Sequence, residues 1–404
     1  MKITMLGWEL PPHNSGGLGV ACYNLAKQLA QDGFEINFVV PYRARHRIKE
    51  FKVIGATDIT PAELYRSANA YHSSGTIPPP NEESVRGGLD GLRTRYARFV
   101  QKLVADDPPD VIHAHDWLTF DAAVAAKRLC GSPFIAHVHA TEYDRSGNAE
   151  GNLIVHDIEY QSLLLADKII AVSRLTKRTI VEKYHIPADK IEVLHNAPAE
   201  VPPPETVADS PSYPYLEEMR RSGWTVVASL GRLTVQKGLN YLLEAAKLAV
   251  EKNPRLIFLL AGDGEQRDQL LLRCAQLGLG GNVAFSGFVR GQRWRDSYGS
   301  ADLFVMSSVS EPFGLTALEA AACRLPLIIT RQSGVGETIS HALKYDYWDT
   351  HRLASLILAA AEQTVLRHEL ADNAASEINR LSWREVARGC SRIYRQHSLV
   401  EASP

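Results

Sequence analysis

Three loops in this chain combine glycine or proline with charged side chains at spacings that suit the binding of phosphate and hydroxyl groups. The most specific reads SSVSEPFGLTALEAAACRLP from Ser307 to Pro326, with Glu311 and Glu319 eight positions apart. Pro312 stiffens the approach to a helix expected to begin near Phe313 or Gly314, and Gly314 permits close approach to the backbone. The amides of Phe313, Gly314 and Leu315 then form a site for an anion or a hydroxyl, because the first turn of a helix leaves its N–H groups unpaired. Glu319 falls about a turn and a half deeper. Such a constellation suits a polyhydroxylated ligand, with Glu311 accepting from sugar hydroxyls and Glu319 from a ribose. The plainer alternative is an acid favoured by the helix dipole together with a surface glutamate.

The second loop, GRLTVQKG from Gly231 to Gly238, lies between a strand and a helix and carries two cations, Arg232 and Lys237. Arginine binds phosphate oxygens bidentately and lysine acts as a point charge, so the two would neutralise charge growing on a leaving phosphate; the alternative is a pair of solvated surface cations. The third loop, PPHNSGGLG from Pro11 to Gly19, offers Gly16, Gly17 and Gly19 as a phosphate cradle or merely as a tight turn. It is not GxGxxG and has no Walker lysine, so dinucleotide fingerprints and P-loops fit poorly. His113, His115 and Asp116 in VIHAHDWLT sit at the C-terminal edge of a strand, where open α/β sheets bind ligands. They admit a metal reading, or a reading in which Asp116 faces an acceptor or orders the cleft. From chemistry alone His139 in HVHATE reads as a core or ion-paired histidine, and His137 is expected on the opposite face of its strand.

These loops need a scaffold. KITMLG, VACYNLAKQLAQ and EINFVV start an alternation of short β-rich runs and longer amphipathic runs that winds a parallel sheet under covering helices. Further strands are expected at 110–114, 133–138, 168–172 and 190–194, with helices near 119–130, 151–166 and 174–184. VPPPETVADSPSYPY from Val201 to Tyr215 reads as an exposed connection, because its prolines exclude helix interiors and central strands. The alternation then restarts at TVVASL and runs through RLIFLLAG, NVAFSG, DLFVMS and LPLIIT. Residues 43–100, including IPPPNEES and RGGLDG, are the least regular and are expected to form an insertion over the first sheet. The last helix, LSWREVARGCSRIYRQ, has an apolar stripe of Trp383, Val386, Ala387, Cys390 and Ile393 or Tyr394 that must be buried.

At 404 residues the chain exceeds what one core supports, and two domains are expected. Lys and Arg number 44 against 46 Asp and Glu, which denies the chain the basic excess that drives nucleic-acid binding. No apolar stretch is long enough to span a bilayer and Met1 leads directly into KITMLGW, so a cytoplasmic protein without a transmembrane segment is expected. Five spread cysteines, each in an apparently helical stretch, make a disulfide framework and a structural zinc site poor readings.

Together these segments resemble the retaining nucleotide-sugar glycosyltransferases of family four, including the glycogen-synthase-like and sucrose-synthase-like enzymes. The E-x7-E motif from Glu311 to Glu319, with EPFG at its head, carries the resemblance, and GRLTVQKG is its usual companion. WELPPHNSGGLG, HAHDWLT, HVHATEYDR, AVSRLTKRTI, VLHNA and ALKYDYWDTHRLA are similar to family segments, so the likeness spans nearly the whole chain. It implies a GT-B fold, α/β, with two Rossmann-like parallel-sheet domains facing a central cleft. Residues 1–200 would be the acceptor domain and 201–384 the nucleotide-sugar donor domain, with the last helix, from about 385, packing back on the first.

By the same resemblance Arg232 and Lys237 contact the donor diphosphate and Glu319 the ribose. Glu311, with Phe313, Gly314 and Leu315, holds the transferred sugar, Gly16 and Gly17 line the donor site, and His139 is the active-site histidine. Asp116 remains the acceptor-side candidate. No metal and no cofactor are implied, because the family stabilises its leaving diphosphate with cations and helix dipoles. The implied reaction moves a hexosyl group from a nucleoside-diphosphate sugar to an acceptor hydroxyl of a glucan, oligosaccharide or small molecule, with retention through front-face attack. Related bacterial glycogen synthases carry KxGGL, whereas Asn14 and Ser15 stand here, so the resemblance does not carry over ADP-glucose as donor. HNA at 195–197 likewise lacks the common HNG-V-D ending. A GT-B sugar-nucleotide epimerase, a pyridoxal-dependent phosphorylase and a non-enzymatic carbohydrate-binding protein are the rival readings.

Overall fold

The structure, a computed structural model, describes residues 1–14, 16–67, 88–147, 151–199 and 212–398. The chain divides into two compact units, Met1–Ala197 joined by Ser382–Pro404, and Pro198–Leu381. The first is built on seven parallel strands: β1 (Lys2–Leu6), β2 (Glu35–Val40), β3 (Lys52–Gly55), β4 (Val111–His115), β5 (Phe134–Val138), β6 (Lys168–Ala171) and β7 (Ile191–Val193). Their order is β3-β2-β1-β4-β5-β6-β7. Central strands such as VIHAH and FIAHV are buried at every residue. A parallel sheet of this kind needs helices on both faces, and the connections supply them.

The second unit has six parallel strands: β8 (Thr225–Leu230), β9 (Leu256–Ala261), β10 (Val283–Gly287), β11 (Leu303–Met306), β12 (Leu327–Thr330) and β13 (Leu343–Tyr345), in the order β10-β9-β8-β11-β12-β13. In each sheet the order reverses at its first strand, so β1 lies between β2 and β4, and β8 between β9 and β11. Chains leaving the carboxyl ends of strands that flank such a reversal turn to opposite faces and leave a crevice. The glycine loops and Glu311 occupy these positions.

Residues 43–100 correct an expectation. Instead of an insertion lying over the sheet, Lys52–Gly55 extends it as edge strand β3, paired parallel with β2. The 19-residue helix Gly88–Asp106 buries Leu92, Tyr96, Val100 and Val104 at four-residue spacing, a stripe that its many charged residues conceal in the sequence. IPPPNEES lies outside the described residues. So does most of the proline-rich connection; its end, Pro214–Arg221, is helical, with Pro214 in the first turn where no intrahelical donor is needed.

The last helix, Trp383–His397, starts at Ser382, whose hydroxyl accepts from the Glu385 amide at 3.2 Å. Its Val386, Ala387, Cys390, Ile393 and Tyr394 belong to the core of the first unit. The fit is close: a Cβ on Gly389 would lie 2.5 Å from Leu194 Cδ2. All five cysteines are free, and Cys323 caps the helix Leu315–Ala322 instead of lying within it. Among the described residues no helix is long and apolar enough to cross a membrane.

Candidate functional site

In the second unit, glycines draw neighbouring loops together. A Cβ on Gly262, after β9, would lie 1.8 Å from the Gly231 carbonyl oxygen after β8. Gly238, at φ 60, opens the helix Leu239–Lys252, and a Cβ there would lie 2.2 Å from the carbonyl oxygen of Ser307 after β11. This approach sets Lys237 beside Glu311. Lys237 Nζ lies 2.5 Å from Glu311 Oε2, and Ser308 Oγ donates to the same oxygen at 2.8 Å. The Glu311 backbone is held in turn: its amide donates to Gln332 O and its carbonyl accepts from the Gly334 amide, each at 2.9 Å.

Gly314 takes φ 112 directly before the helix Leu315–Ala322. A side chain there would be strained and would press on Met306 and Val335. Arg232, Lys237, Ser308 and Thr316 share one small hollow, so two cations and the start of a helix converge on it. Positive charge and a helix N-terminus together form an anion site. Glu319 is buried one turn further on, where Tyr298 Oη donates to it at 2.6 Å. Burial pushes the Glu319 carboxyl up to about 7, against the opposing pull of hydrogen bonds from Tyr298 and Trp294.

The first unit builds a different surface. β4 and β5 pair with His115 opposite His137, and His113, His115, His137 and His139 stack on one face. The His137 and His139 rings lie 4.3 Å apart, which corrects the expectation that His137 points away: side chains two residues apart along a strand share a face. His115 Nδ1 and His139 Nε2 share a hydrogen bond of 2.9 Å, as do His113 Nε2 and His137 Nδ1 at 3.1 Å. Tyr394 of the last helix meets His113 Nδ1 at 2.5 Å. Burial lowers all four imidazoles, His113 and His139 to about 3, so the stack is neutral near pH 7.

Asp116, at φ 59, turns its Oδ1 back to accept from the amides of His139 at 2.6 Å and Ala140 at 3.3 Å. Burial raises its carboxyl to about 7, while Arg145 and the two amides pull the other way. Arg145 is itself held by Glu142 at 3.1 Å and by Glu159. In the glycine loop, the Gly19 amide donates to Glu9 Oε1 at 3.2 Å, so a carboxylate of the protein takes the position assigned to a phosphate. Gly16 and Gly17 stand at the head of the helix Gly17–Gln31, with the Gly16 carbonyl accepting from Asn14 Nδ2 at 3.0 Å.

Residues 15–197 match the family described as Glycosyltransferase Family 4, and residues 218–377 the family described as Glycosyl transferases group 1. The chain is 30% identical over 330 residues to mannosylfructose-phosphate synthase of Agrobacterium fabrum, covering 72% of this chain and 69% of that one. It belongs to the family 4 glycosyltransferases. An uncharacterized glycosyltransferase of Methanocaldococcus jannaschii is 29% identical, with 98% of each chain covered. The structure resembles sucrose-phosphate synthase of Thermosynechococcus elongatus with a TM-score of 0.76 at 19% identity and full coverage of both chains, which shows the GT-B fold.

In this glycosyltransferase the residues singled out from the sequence fall into two sets. Arg232, Lys237, Glu311, Phe313, Gly314, Leu315 and Glu319 gather at the β8 and β11 ends of the second unit. Gly16, Gly17, Asp116 and His139 belong to the first, at the β1, β4 and β5 ends. Sequence reasoning missed Ser308, Tyr298, Glu9 and the role of His115 as the partner of His139. The paired HAH and HVH segments carried a signal: two histidines at i and i+2 on each of two neighbouring strands must share a face. Ser308, Tyr298 and Glu9 carry no such pattern.

Proposed function

We propose that this glycosyltransferase moves a hexosyl group from a nucleoside-diphosphate sugar to an acceptor hydroxyl of a glucan, oligosaccharide or small molecule, with retention of configuration and without a divalent metal. The observation that carries this reading is the Lys237–Glu311–Ser308 cluster at the head of the helix Leu315–Ala322, beside Arg232. Arg232 and Lys237 bind the diphosphate and stabilise the charge that grows on it as the glycosidic bond breaks. The amides of Phe313, Gly314 and Leu315 and the carboxylate of Glu311 hold sugar hydroxyls, and Glu319 accepts from the ribose.

Front-face attack, the route to retention that the resemblance implies, needs no nucleophile from the protein, and the setting of Glu311 supports it over double displacement. Its Oε2 is engaged by both Lys237 and Ser308, which suits a carboxylate that orients hydroxyls more than a nucleophile that must attack carbon. The acceptor then enters on the face that the phosphate leaves, and the phosphate oxygen takes the acceptor's proton as the new bond forms. His139, neutral and held through its amide by Asp116, supplies a hydrogen-bonding ring without adding charge. The five free cysteines support a reducing, cytoplasmic setting.

Arg232→Ala and Lys237→Ala are each expected to lower kcat by roughly 10²-fold, the scale for losing one preorganised charge-stabilising donor. The measurement is transfer from UDP-, ADP- and GDP-hexoses, with the anomeric configuration of the product read by NMR. Wild-type turnover in both variants, or an inverted product, overturns the assignment.

A further inference from the structure

The histidine stack contains groups that sugar transfer does not use. Cys22 Sγ and one ring nitrogen each of His115 and His139 all lie within 4.8 Å of one another. Cys22 and His115 are buried, whereas His139 is partly exposed and gives the cluster its side toward solvent. His115 Nε2 and His137 Nε2 are buried without a hydrogen-bond partner. His115 Nε2 is the nitrogen remote from His139, so it can carry the ring proton once Nδ1 binds an ion. His113, by contrast, has both nitrogens engaged, by Tyr394 and His137, which sets the neighbouring trio of His113, His115 and His137 behind.

We propose that Cys22, His115 and His139 form a binding site for a zinc-class divalent ion. One thiolate and two imidazoles are a ligand set that such borderline-soft ions take, and three protein ligands leave a fourth position for water on the His139 side. The 2.9 Å between His115 Nδ1 and His139 Nε2 is close to the ~3.3 Å between two nitrogens of one tetrahedral zinc. Binding forms a sulfur–metal bond as the Cys22 S–H breaks and its proton passes to solvent. The proton shared by the two imidazoles moves to the far nitrogen of its own ring, and no oxidation state changes. Occupancy engages His139, so the ion inhibits transfer; that consequence, unlike the binding itself, rests on the transfer reading.

Co²⁺ is the probe, because a thiolate ligand gives it a near-ultraviolet charge-transfer band. The wild-type protein is expected to show the band and to retain about one Zn²⁺ on equilibrium dialysis. Cys22→Ala, a small-for-small change outside the transfer machinery, is expected to abolish the band, weaken Zn²⁺ retention by roughly 10- to 100-fold or more, and keep its transfer activity with inhibition by Zn²⁺ relieved. His115→Phe keeps the ring stack and is expected to weaken binding likewise. A wild-type protein that shows no band and retains no ion overturns the site, as does a band undiminished in Cys22→Ala. A band without inhibition leaves the site standing and overturns instead the part given to His139 in transfer.

Discussion

The carboxyl ends of β4 and β5 in the first unit and of β8 and β11 in the second lie at or beside the reversal of strand order in two similar sheets, yet their chemistry is opposite. At the first, four stacked imidazoles are held neutral by burial and the nearest carboxyl, Asp116, is raised to about 7. At the second, a lysine and a glutamate meet at 2.5 Å beside an arginine and a helix N-terminus. Topology therefore decides where a ligand can bind, and the side chains at the strand ends decide what charge it brings. A surface of neutral imidazoles suits a hydroxyl, and one with two cations beside a single carboxylate suits a phosphate.

The largest expected effect breaks the first surface from behind. A chain ending at Leu381 loses Val386, Ile393 and Tyr394, whose burial is worth on the order of 5–9 kcal/mol, against a typical domain stability of about 5–15 kcal/mol. In scanning calorimetry the transition of the first unit is expected to vanish while that of the second stays; an unchanged first transition would show that the helix is dispensable.

The second surface is tested by Gly238→Ala, which places a Cβ 2.2 Å from the Ser307 carbonyl at φ 60. It is expected to cost roughly 1–3 kcal/mol from backbone strain alone, with a further loss from the clash, and to lower transfer by separating Lys237 from Glu311. Gly278→Ala, also at positive φ but with nothing within 4 Å, is the control that bears strain only. Equal losses of stability and activity in the two variants would deny the loop contact its role.

A smaller effect distinguishes the two surfaces by pH. The folded Glu319 carboxyl sits near 7, above an unfolded value of about 4.3, so between these values the native state binds more protons and stability falls as pH rises. Asp116 contributes in the same direction from the first unit. Glu319→Gln removes one share of the slope: without nucleotide it is expected to match the wild type at pH 4 and to melt higher at pH 8. A wild-type Tm that rises from pH 5 to 7 as steeply as the variant's contradicts this. The smallest expected effect is none: on the proposed reading, in which Arg232 and Lys237 serve the phosphates, EDTA leaves the transfer rate of zinc-free protein unchanged, and activity lost to chelation and restored by Mg²⁺ or Mn²⁺ would count against the metal-free reading.

Much of the scaffold was legible because buried parallel strands read as short apolar runs between amphipathic ones. Thus β4, expected over 110–114, forms over Val111–His115, and β5, expected over 133–138, over Phe134–Val138. Strand β3 was not legible, since KVIG is four residues long and takes its conformation from pairing with β2. In the site, glycine loops with Arg232 and Lys237 stood out by type and spacing. Glu9 did not: nothing local says that a carboxylate ten positions before Gly19 turns onto its amide.

By itself the sequence determined two alternating α/β runs, a helix start at EPFG, and an apolar stripe in the last helix that requires a partner. These follow from local chemistry: side-chain periodicity, the φ that proline and glycine allow, and the hydrogen bonds a helix end leaves open. Only the tertiary structure decided that Lys237 meets Glu311, that Tyr298 reaches Glu319, and that Tyr394 meets His113 across 281 positions of chain. Such contacts depend on strand order and on how closely two loops approach, and a linear pattern of residue types encodes neither.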